Sequence, residues 1–385
     1  MMKSTVGSEN VAIYGVATAV PETSYSQEFT SQFFQHLNAY SDKQKRFLRL
    51  LYRNTGIDER YSVIEDYRKE PADYQFFPKN DQLMPEPGLE ARNDMYIRES
   101  NRLSERSVRD LFASDPGITP EEITHLITVS CTGFSAPGFD FHLVKALGLS
   151  LSVHRYHIGF MGCYAAFPAL KLARDICRAD STARVLISIV ELCSLHIQQK
   201  TDSDFMIANA LFADGAAAAV VAQFSLKNGA RPRSGSAPRN RSLLLLENFI
   251  SRIIPGSETD MAWKIGQNAF DMRLSSYVPE IIGTNIASVV DDLLKPTGST
   301  RDAINIWAIH PGGRAILDRS HRSLGLPMDS LHHSYDILRR YGNMSSATIF
   351  FVLKSILDGD ESGMCFACAF GPGLTVEAGL LRKTG

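Results

Sequence analysis

The sequence predicts an α/β fold. Two observations carry that reading: short, near-continuous apolar runs, and helix-patterned segments that alternate with them. Runs without a polar face suit strands covered on both sides. Alternation of such strands with helices is the mark of the α/β class. A third observation, the length of 385 residues, leaves room for two domain-sized cores.

The strand candidates are "VAIYGVATAV" from Val11, "HLITVSC" from His125, "RVLISIVELC" from Arg184, "AAAAVVAQF" from Ala216 and "INIWAIHP" from Ile304. The helix candidates are "KQKRFLRLLYRNTG" from Lys43, "YAAFPALKLARDICRA" from Tyr164, "VPEIIGTNIASVVDDLLK" from Val278 and "ATIFFVLKSILDG" from Ala347. The stretch from Glu70 to Asp94 is Pro-rich and is expected to be a long surface excursion. Ser225 to Ser242 is rich in Gly, Pro, Ser and Arg and lies between strand runs. It is expected to connect two halves, 1–232 and 233–385.

Charge and composition exclude several classes. Lys plus Arg is 40 and Asp plus Glu is 42, so no basic excess points to nucleic acid. No apolar run reaches the ~18 residues of a membrane span. The first residues make a poor signal peptide. The six cysteines show no disulfide-framework spacing, so reduced thiols and a cytoplasmic setting are expected. Cys365 and Cys368 form a lone CxxC in an apolar run, and no metal is expected there.

The chemistry-bearing residues sit at the ends of elements. Cys163, in "MGCY", falls where a glycine turn enters a helix pattern. A helix N-terminus or a nearby imidazolium favours the thiolate, the nucleophilic form; an inert buried thiol is the alternative. His310, in "IHPGG", ends an apolar run, where a strand can present an imidazole to a cleft, or else it is a core histidine. Asn343, in "YGNMSSA", is placed to donate its amide to an oxyanion, or it serves only the turn. Ser345 or Ser346 is the expected N-cap of the next helix. In "FGPGLTVE", Gly371 and Gly373 let backbone approach a ligand closely, or simply form a hairpin turn.

Taken together, the "GC" before a helix, "IHPGG", "YGNMSSA" and "FGPGLTVE" resemble the type III polyketide synthases, the chalcone-synthase-like condensing enzymes. The resemblance extends to "LEARNDMY", "SCTGFSAPG" and "ALFADGAAA" and covers nearly the whole chain. It implies a thiolase-like fold, with two related α/β halves in αβαβα layers, and a homodimer. It also implies a catalytic Cys163, His310 and Asn343, with Cys163 acylated and paired to a charged histidine. Phe212 and Met272 match gatekeeper positions, the latter a Phe in the family. Cys131, His196, Trp263 and Ser345 match cavity-lining positions. Cys131 and Trp263 stand where the plant enzymes carry Thr and Gly, as in bacterial members. Ala369 replaces the first glycine of the family's GFGPG loop.

Arg46, Arg49 and Arg53 share one helix face by their spacing. They match positions that bind CoA phosphates; a solvated face is the alternative. The substrates implied are acyl-CoA and malonyl-CoA, with no metal or redox cofactor. A fatty acyl starter leading to an alkylpyrone or alkylresorcinol is expected, with a small starter as the rival. An initiating ketoacyl-ACP synthase, a thioester hydrolase and a catalytically silent interaction subunit are the other readings considered.

Overall fold

The computed structural model describes residues 10–224 and 242–385. The boundary expected at 232/233, and nearly all of the connecting segment from Ser225, lie outside the described residues. The strands are β1 (Asn10–Ala19), β2 (Ser24–Ser26), β3 (Glu59–Tyr61), β4 (His125–Ser130), β5 (His154–Gly159), β6 (Arg184–Leu192), β7 (Asp214–Phe224), β8 (Leu244–Ile253), β9 (Met261–Ile265), β10 (Phe270–Leu274), β11 (Ile304–Ile309), β12 (Gly363–Gly371) and β13 (Thr375–Lys383). Each strand run read from the sequence is present.

Nine strands hydrogen-bond in the order β11-β12-β13-β8-β1-β7-β6-β4-β5. The order is that of two related sheets placed edge to edge. Outward from the seam, β1 pairs antiparallel with β7, β7 antiparallel with β6, and β6 parallel with β4. On the other side β8, β13, β12 and β11 repeat the same sequence of antiparallel, antiparallel and parallel pairings. The seam itself is thin: Ala12 faces Leu245 and Ile13 faces Leu244.

Side-chain alternation along each strand builds the layers. On β1, Val11 and Ile13 enter one core and Ala12 and Tyr14 another. The first of these is the middle layer, where helices Ala166–Ala179 and Thr348–Asp358 lie between the two sheets. Helices Leu89–Ala113 and Phe139–Leu147 cover the outer face of the first sheet. Helices Val278–Leu294 and Arg314–Leu324 cover that of the second. The result is the thiolase-like αβαβα arrangement.

Three details depart from the sequence reading. The irregular excursion ends at Gly88, because "LEARND" opens the helix Leu89–Ala113. That helix buries Arg92, Ser100, Ser104 and Ser107 beside Tyr96, Leu103, Val108 and Leu111, so its inner face lacks a clean apolar stripe. The edge strand β5, mostly exposed and polar, was not among the expected strands. Neither Ser345 nor Ser346 caps a helix: both lie in a 3₁₀ turn, and the Thr348–Asp358 helix starts from Ala347 without a side-chain cap.

Among the described residues no helix is long and apolar enough to cross a membrane. All six cysteines are free and buried. Phe350 is fully buried in the middle layer. Phe350→Ala should lower the unfolding free energy by about 3–5 kcal/mol, read as an earlier urea midpoint with unchanged slope. A loss below about 1 kcal/mol would mean that this layer is not packed as described.

Candidate active site

Cys163 follows β5 through a tight turn. Phe160 and Gly162 have φ of 57° and 76°, and the chain then makes the 3₁₀ turn Gly162–Tyr164 before the helix Ala166–Ala179. The β12–β13 hairpin tip packs onto this turn. A Cβ on Gly162 would lie 2.5 Å from Pro372 Cδ, and one on Gly371 would lie 2.5 Å from the Tyr164 ring. Only glycines permit so close an approach at these two places.

His310 directly follows β11, its N–H donating to the Cys368 carbonyl at 2.8 Å. It is 1% exposed, and neither ring nitrogen has a hydrogen-bond partner. Buried polar atoms are rarely left so. Asn343 follows the helix His332–Tyr341 through Gly342, whose φ is 71°. Its backbone is clamped between the Leu211 carbonyl (2.9 Å) and the Ala213 N–H (2.8 Å). Its Oδ1 accepts the Ser345 N–H at 2.9 Å, and its Nδ2 donates to the Gly312 carbonyl at 3.2 Å.

Cys163, His310 and Asn343 line one cavity. Its volume is about 30 Å³, against the ~10–15 Å³ that one water needs by the same measure. Burial governs the ionisation here. It pushes the Cys163 thiol up to about 12, while the Ser345 hydroxyl and the Asn343 amide favour the thiolate and oppose it. It drives the His310 imidazole down to about 3. Burial thus disfavours both charged forms, the thiolate and the imidazolium, and opposes the ion pair that the resemblance implies. The reason is desolvation, together with the lack of any hydrogen bond to His310.

The outer wall comes from the ribbon β9–β10. Met272 lies directly opposite Trp263 in the antiparallel register. Met261, Trp263, Met272 and Leu274 all line the cavity, as the two-residue period of a strand requires. The Trp263 indole N–H donates to the Cys131 carbonyl at 2.8 Å. Phe212 also lines the cavity, in the cluster against which Met272 packs, and is bridged through its backbone to Asn343. Cys131 and Ser345 also line the cavity, with Sγ and Oγ 3.4 Å apart.

The sequence reading missed Cys193, Met261, Leu274, Ile316 and Thr132 as lining residues. It also missed Glu191, a fully buried carboxylate behind the wall. Glu191 accepts from the Cys131 N–H (3.0 Å), the Cys131 thiol (3.2 Å), the Thr132 hydroxyl (3.0 Å) and the Ser346 hydroxyl. Alternation in "MAWKIGQNAFDMRL" was the available signal for Met261 and Leu274.

Three expected placements are corrected. His196 stands behind the wall and does not line the cavity. Its Nδ1 accepts the Phe270 N–H at 3.1 Å, so Nε2 carries the proton that meets the Thr132 carbonyl at 2.8 Å. It stacks on Phe270 at 4.2 Å, and burial drives its pKa down to about 3. Gly371 and Gly373 also stay off the cavity wall, which Phe370 and Pro372 form instead. Gly371 serves the close approach to Tyr164, and Gly373, with φ 83°, serves the hairpin turn.

Arg46, Arg49 and Arg53 are exposed on the helix Asp42–Asn54. Arg49 and Arg53 line a separate open cleft, where Arg49 holds Gln35 Oε1 at 3.0 and 3.2 Å. That cleft shares no lining residue with the Cys163 cavity.

The chain matches the family models for chalcone and stilbene synthases, the N-terminal domain over residues 2–224 and the C-terminal domain over 246–384. It is 31% identical over 370 residues to the alpha-pyrone synthesis polyketide synthase-like Pks18 of Mycobacterium tuberculosis, covering 95% of this chain and 89% of that protein. It is 29% identical to probable polyketide synthase 1 of Dictyostelium discoideum, over 97% of this chain but 11% of that much longer protein. Among solved structures it resembles PKS-I of the brown alga Ectocarpus siliculosus, with a TM-score of 0.87, 30% identity, and 98% and 99% of the two chains covered. The C-terminal type III polyketide synthase domain of Steely1 from Dictyostelium gives 0.85 and 26% identity, with 98% and 100% covered.

The close approach of Gly371 to Tyr164 is directly testable. Gly371→Ala should cost about 1–3 kcal/mol by overpacking and slow alkylation of Cys163 by iodoacetamide. Wild-type stability together with a wild-type alkylation rate would show that the hairpin tip does not press on this turn.

Proposed function

The chain belongs to the chalcone and stilbene synthase family of type III polyketide synthases, and from that premise we propose that it condenses a fatty acyl-CoA starter with malonyl-CoA to give an alkylpyrone or alkylresorcinol. Members of this family are acyl-CoA condensing enzymes, so the chain is an acyltransferase. The observation that carries the reading is the convergence of Cys163, His310 and Asn343, from three separate elements, on one buried cavity.

In this reading the Cys163 sulfur attacks the starter thioester. His310 takes the thiol proton and returns it to the departing CoA sulfur. Malonyl-CoA then loses CO₂, and its carbonyl oxygen becomes an enolate oxygen. His310 and the Asn343 amide donate to that oxygen. Two features support these roles: His310 has no other partner, and with Asn343 Oδ1 pinned by the Ser345 N–H and one Nδ2–H on the Gly312 carbonyl, the second Nδ2–H is left to donate. The enolate carbon attacks the Cys163 thioester, the sulfur leaves, and the extended chain is reloaded for the next round. The Cys163 N–H is the proposed donor to the thioester carbonyl. Arg46, Arg49 and Arg53 are proposed to hold the CoA phosphates, which suit guanidinium forks. The same reading takes the enzyme as a cytoplasmic homodimer whose condensation needs no metal or redox cofactor.

Cys163→Ala should leave no acyl adduct on intact-mass analysis, whereas the wild type shows one. Asn343→Ala should still be acylated but should decarboxylate malonyl-CoA roughly a hundredfold more slowly. An adduct on Cys131 or Cys193, or decarboxylation by Asn343→Ala at the wild-type rate, would sink the assignment.

The starter is the finer part of the proposal. Met272 is a flexible thioether that can swing out of an alkyl chain's path. A second reading, a small starter, is favoured by the tight cavity and by the hydrogen bond that anchors Trp263. Each buried CH₂ contributes about 0.8 kcal/mol, or about fourfold in kcat/KM. A profile rising from acetyl-CoA to medium and long acyl-CoA, shifted to shorter chains by Met272→Phe, is the expected result. A preference for acetyl-CoA that Met272→Phe leaves unchanged would establish the small-starter reading within the same family.

A further inference from the structure

A second cluster of chemistry-bearing side chains lies outside the cavity. His332 and His333 open the helix His332–Tyr341, and Glu361 stands in the loop between the helix Thr348–Asp358 and β12. One ligand atom from each lies within 4.8 Å of the others. We propose that His332, His333 and Glu361 form a divalent transition-metal site, suited to Zn²⁺, that clips the start of this helix to the loop before β12.

Several observations point to a metal ligand set and not a chance surface cluster. His333 is buried, and its Nδ1 is held by the Ser355 hydroxyl at 2.8 Å. Its Nε2 is thereby aimed at the Glu361 carboxylate, which it contacts directly. His332 Nδ1 meets the Asp329 carbonyl at 2.8 Å, which leaves its other nitrogen uncommitted. Metal-binding histidines are usually oriented in this way, with the second ring nitrogen hydrogen-bonded. The two imidazole rings lie 3.9 Å apart, so both can reach one ion. Gly359 also makes room: a Cβ there would lie 2.3 Å from Glu361 Oε2.

Two imidazoles and a carboxylate are a nitrogen and oxygen donor set that Zn²⁺ accepts, with water as a fourth ligand on the exposed His332 side. Bonds of about 2.0–2.2 Å in a tetrahedron put ligand atoms ~3.3–3.6 Å apart. To reach that spacing the Glu361 carboxylate draws back from His333 Nε2, which it contacts directly, and the exposed His332 ring closes on the pair. Binding at His333 Nε2 displaces the N–H that meets Glu361; the imidazole keeps its one proton on Nδ1, where the Ser355 hydroxyl oxygen accepts it. Lys383 is the adverse charge. Its ammonium is turned onto the carbonyls of Ile356 (2.6 Å) and Gly359 (2.5 Å), and Asp360 adds a compensating negative charge in the same loop.

The placement gives the clip a consequence. The clipped helix ends one residue before Gly342 and Asn343, and the clipped loop leads through β12 to Phe370 on the cavity wall. An ion would fasten the two segments that present these residues. The inference does not depend on which starter the enzyme takes.

The test is Zn²⁺ titration of chelator-treated full-length protein, followed by calorimetry and thermal melting. One equivalent per chain should bind and raise Tm. Binding should weaken at least tenfold in His332→Ala and in Glu361→Gln, both accessible positions. Gly359→Ala keeps every donor but displaces the carboxylate, and it should weaken binding too. Co²⁺ in place of Zn²⁺ should give visible ligand-field bands without a thiolate charge-transfer band. Absence of saturable binding, binding unchanged in the His332→Ala and Glu361→Gln double variant, or a thiolate band would each overturn the proposal.

Discussion

The site rests on one steric constraint, the close packing of a glycine backbone against a side-chain ring, twice over, between the Cys163 turn and the β12–β13 hairpin tip. Gly162 and Pro372 touch, as do Gly371 and Tyr164, with no room for a Cβ on either glycine. The two turns belong to opposite sheets, which share only two residue pairs along their seam. Relative placement of the halves must therefore come from elsewhere. The middle helices supply most of it. Lys171, on the helix that Cys163 leads into, also bonds to Glu377 of β13 at 2.6 Å. That pair ties the same two elements one step beyond the glycine contact, and it is largely withdrawn from water. Loss of either partner would leave the other charge poorly solvated, so the ion pair acts more as a register pin than as a source of net stability.

Desolvation then separates scaffold from reactive groups. Glu191 is buried and carries four hydrogen bonds from backbone, thiol and hydroxyl donors. His196 is buried with both ring nitrogens satisfied. Both are scaffold. His310 is buried with neither nitrogen satisfied, a cost of a few kcal/mol in a folded protein. A stable fold tolerates that cost where a ligand will meet the unpaired atoms. The same burial raises the Cys163 thiol and lowers the His310 imidazole, so it works against charge on either group in the free site.

What was legible in the sequence follows from how local each signal is. The β1, β4, β6, β7 and β11 runs are apolar on both faces, so composition alone revealed them. The helix Leu89–Ala113 hid because serines and Arg92 occupy its buried face. Arg92 is paid for by carbonyls far along the chain, those of Leu195 and Ile197. Cys163, His310 and Asn343 were legible because each lies in a short turn at the end of an element. His196 was misplaced for a related reason: its motif is local, but which side of the wall it occupies depends on the β9–β10 ribbon. The ribbon pairing was not read from the sequence, and with it went Met261, Leu274 and the direct opposition of Trp263 to Met272.

The shape of the cavity is set from behind through a relay that no single position reveals. Glu191 holds the Cys131 N–H, and the carbonyl of the same residue holds the Trp263 indole. A buried carboxylate thus fixes one residue's backbone, and that backbone fixes the largest side chain on the wall. The side chain at position 131 enters this relay only through its thiol contact to Glu191. Residue type at 131 can therefore change the chemistry facing Ser345 while the Trp263 anchor stays in place. Met272, across the ribbon from Trp263, has no such tether, which makes it the adjustable half of the pair. On this ribbon the wall is thus one pinned ring beside one untethered thioether, and a thioether yields to a substrate more readily than a hydrogen-bonded indole.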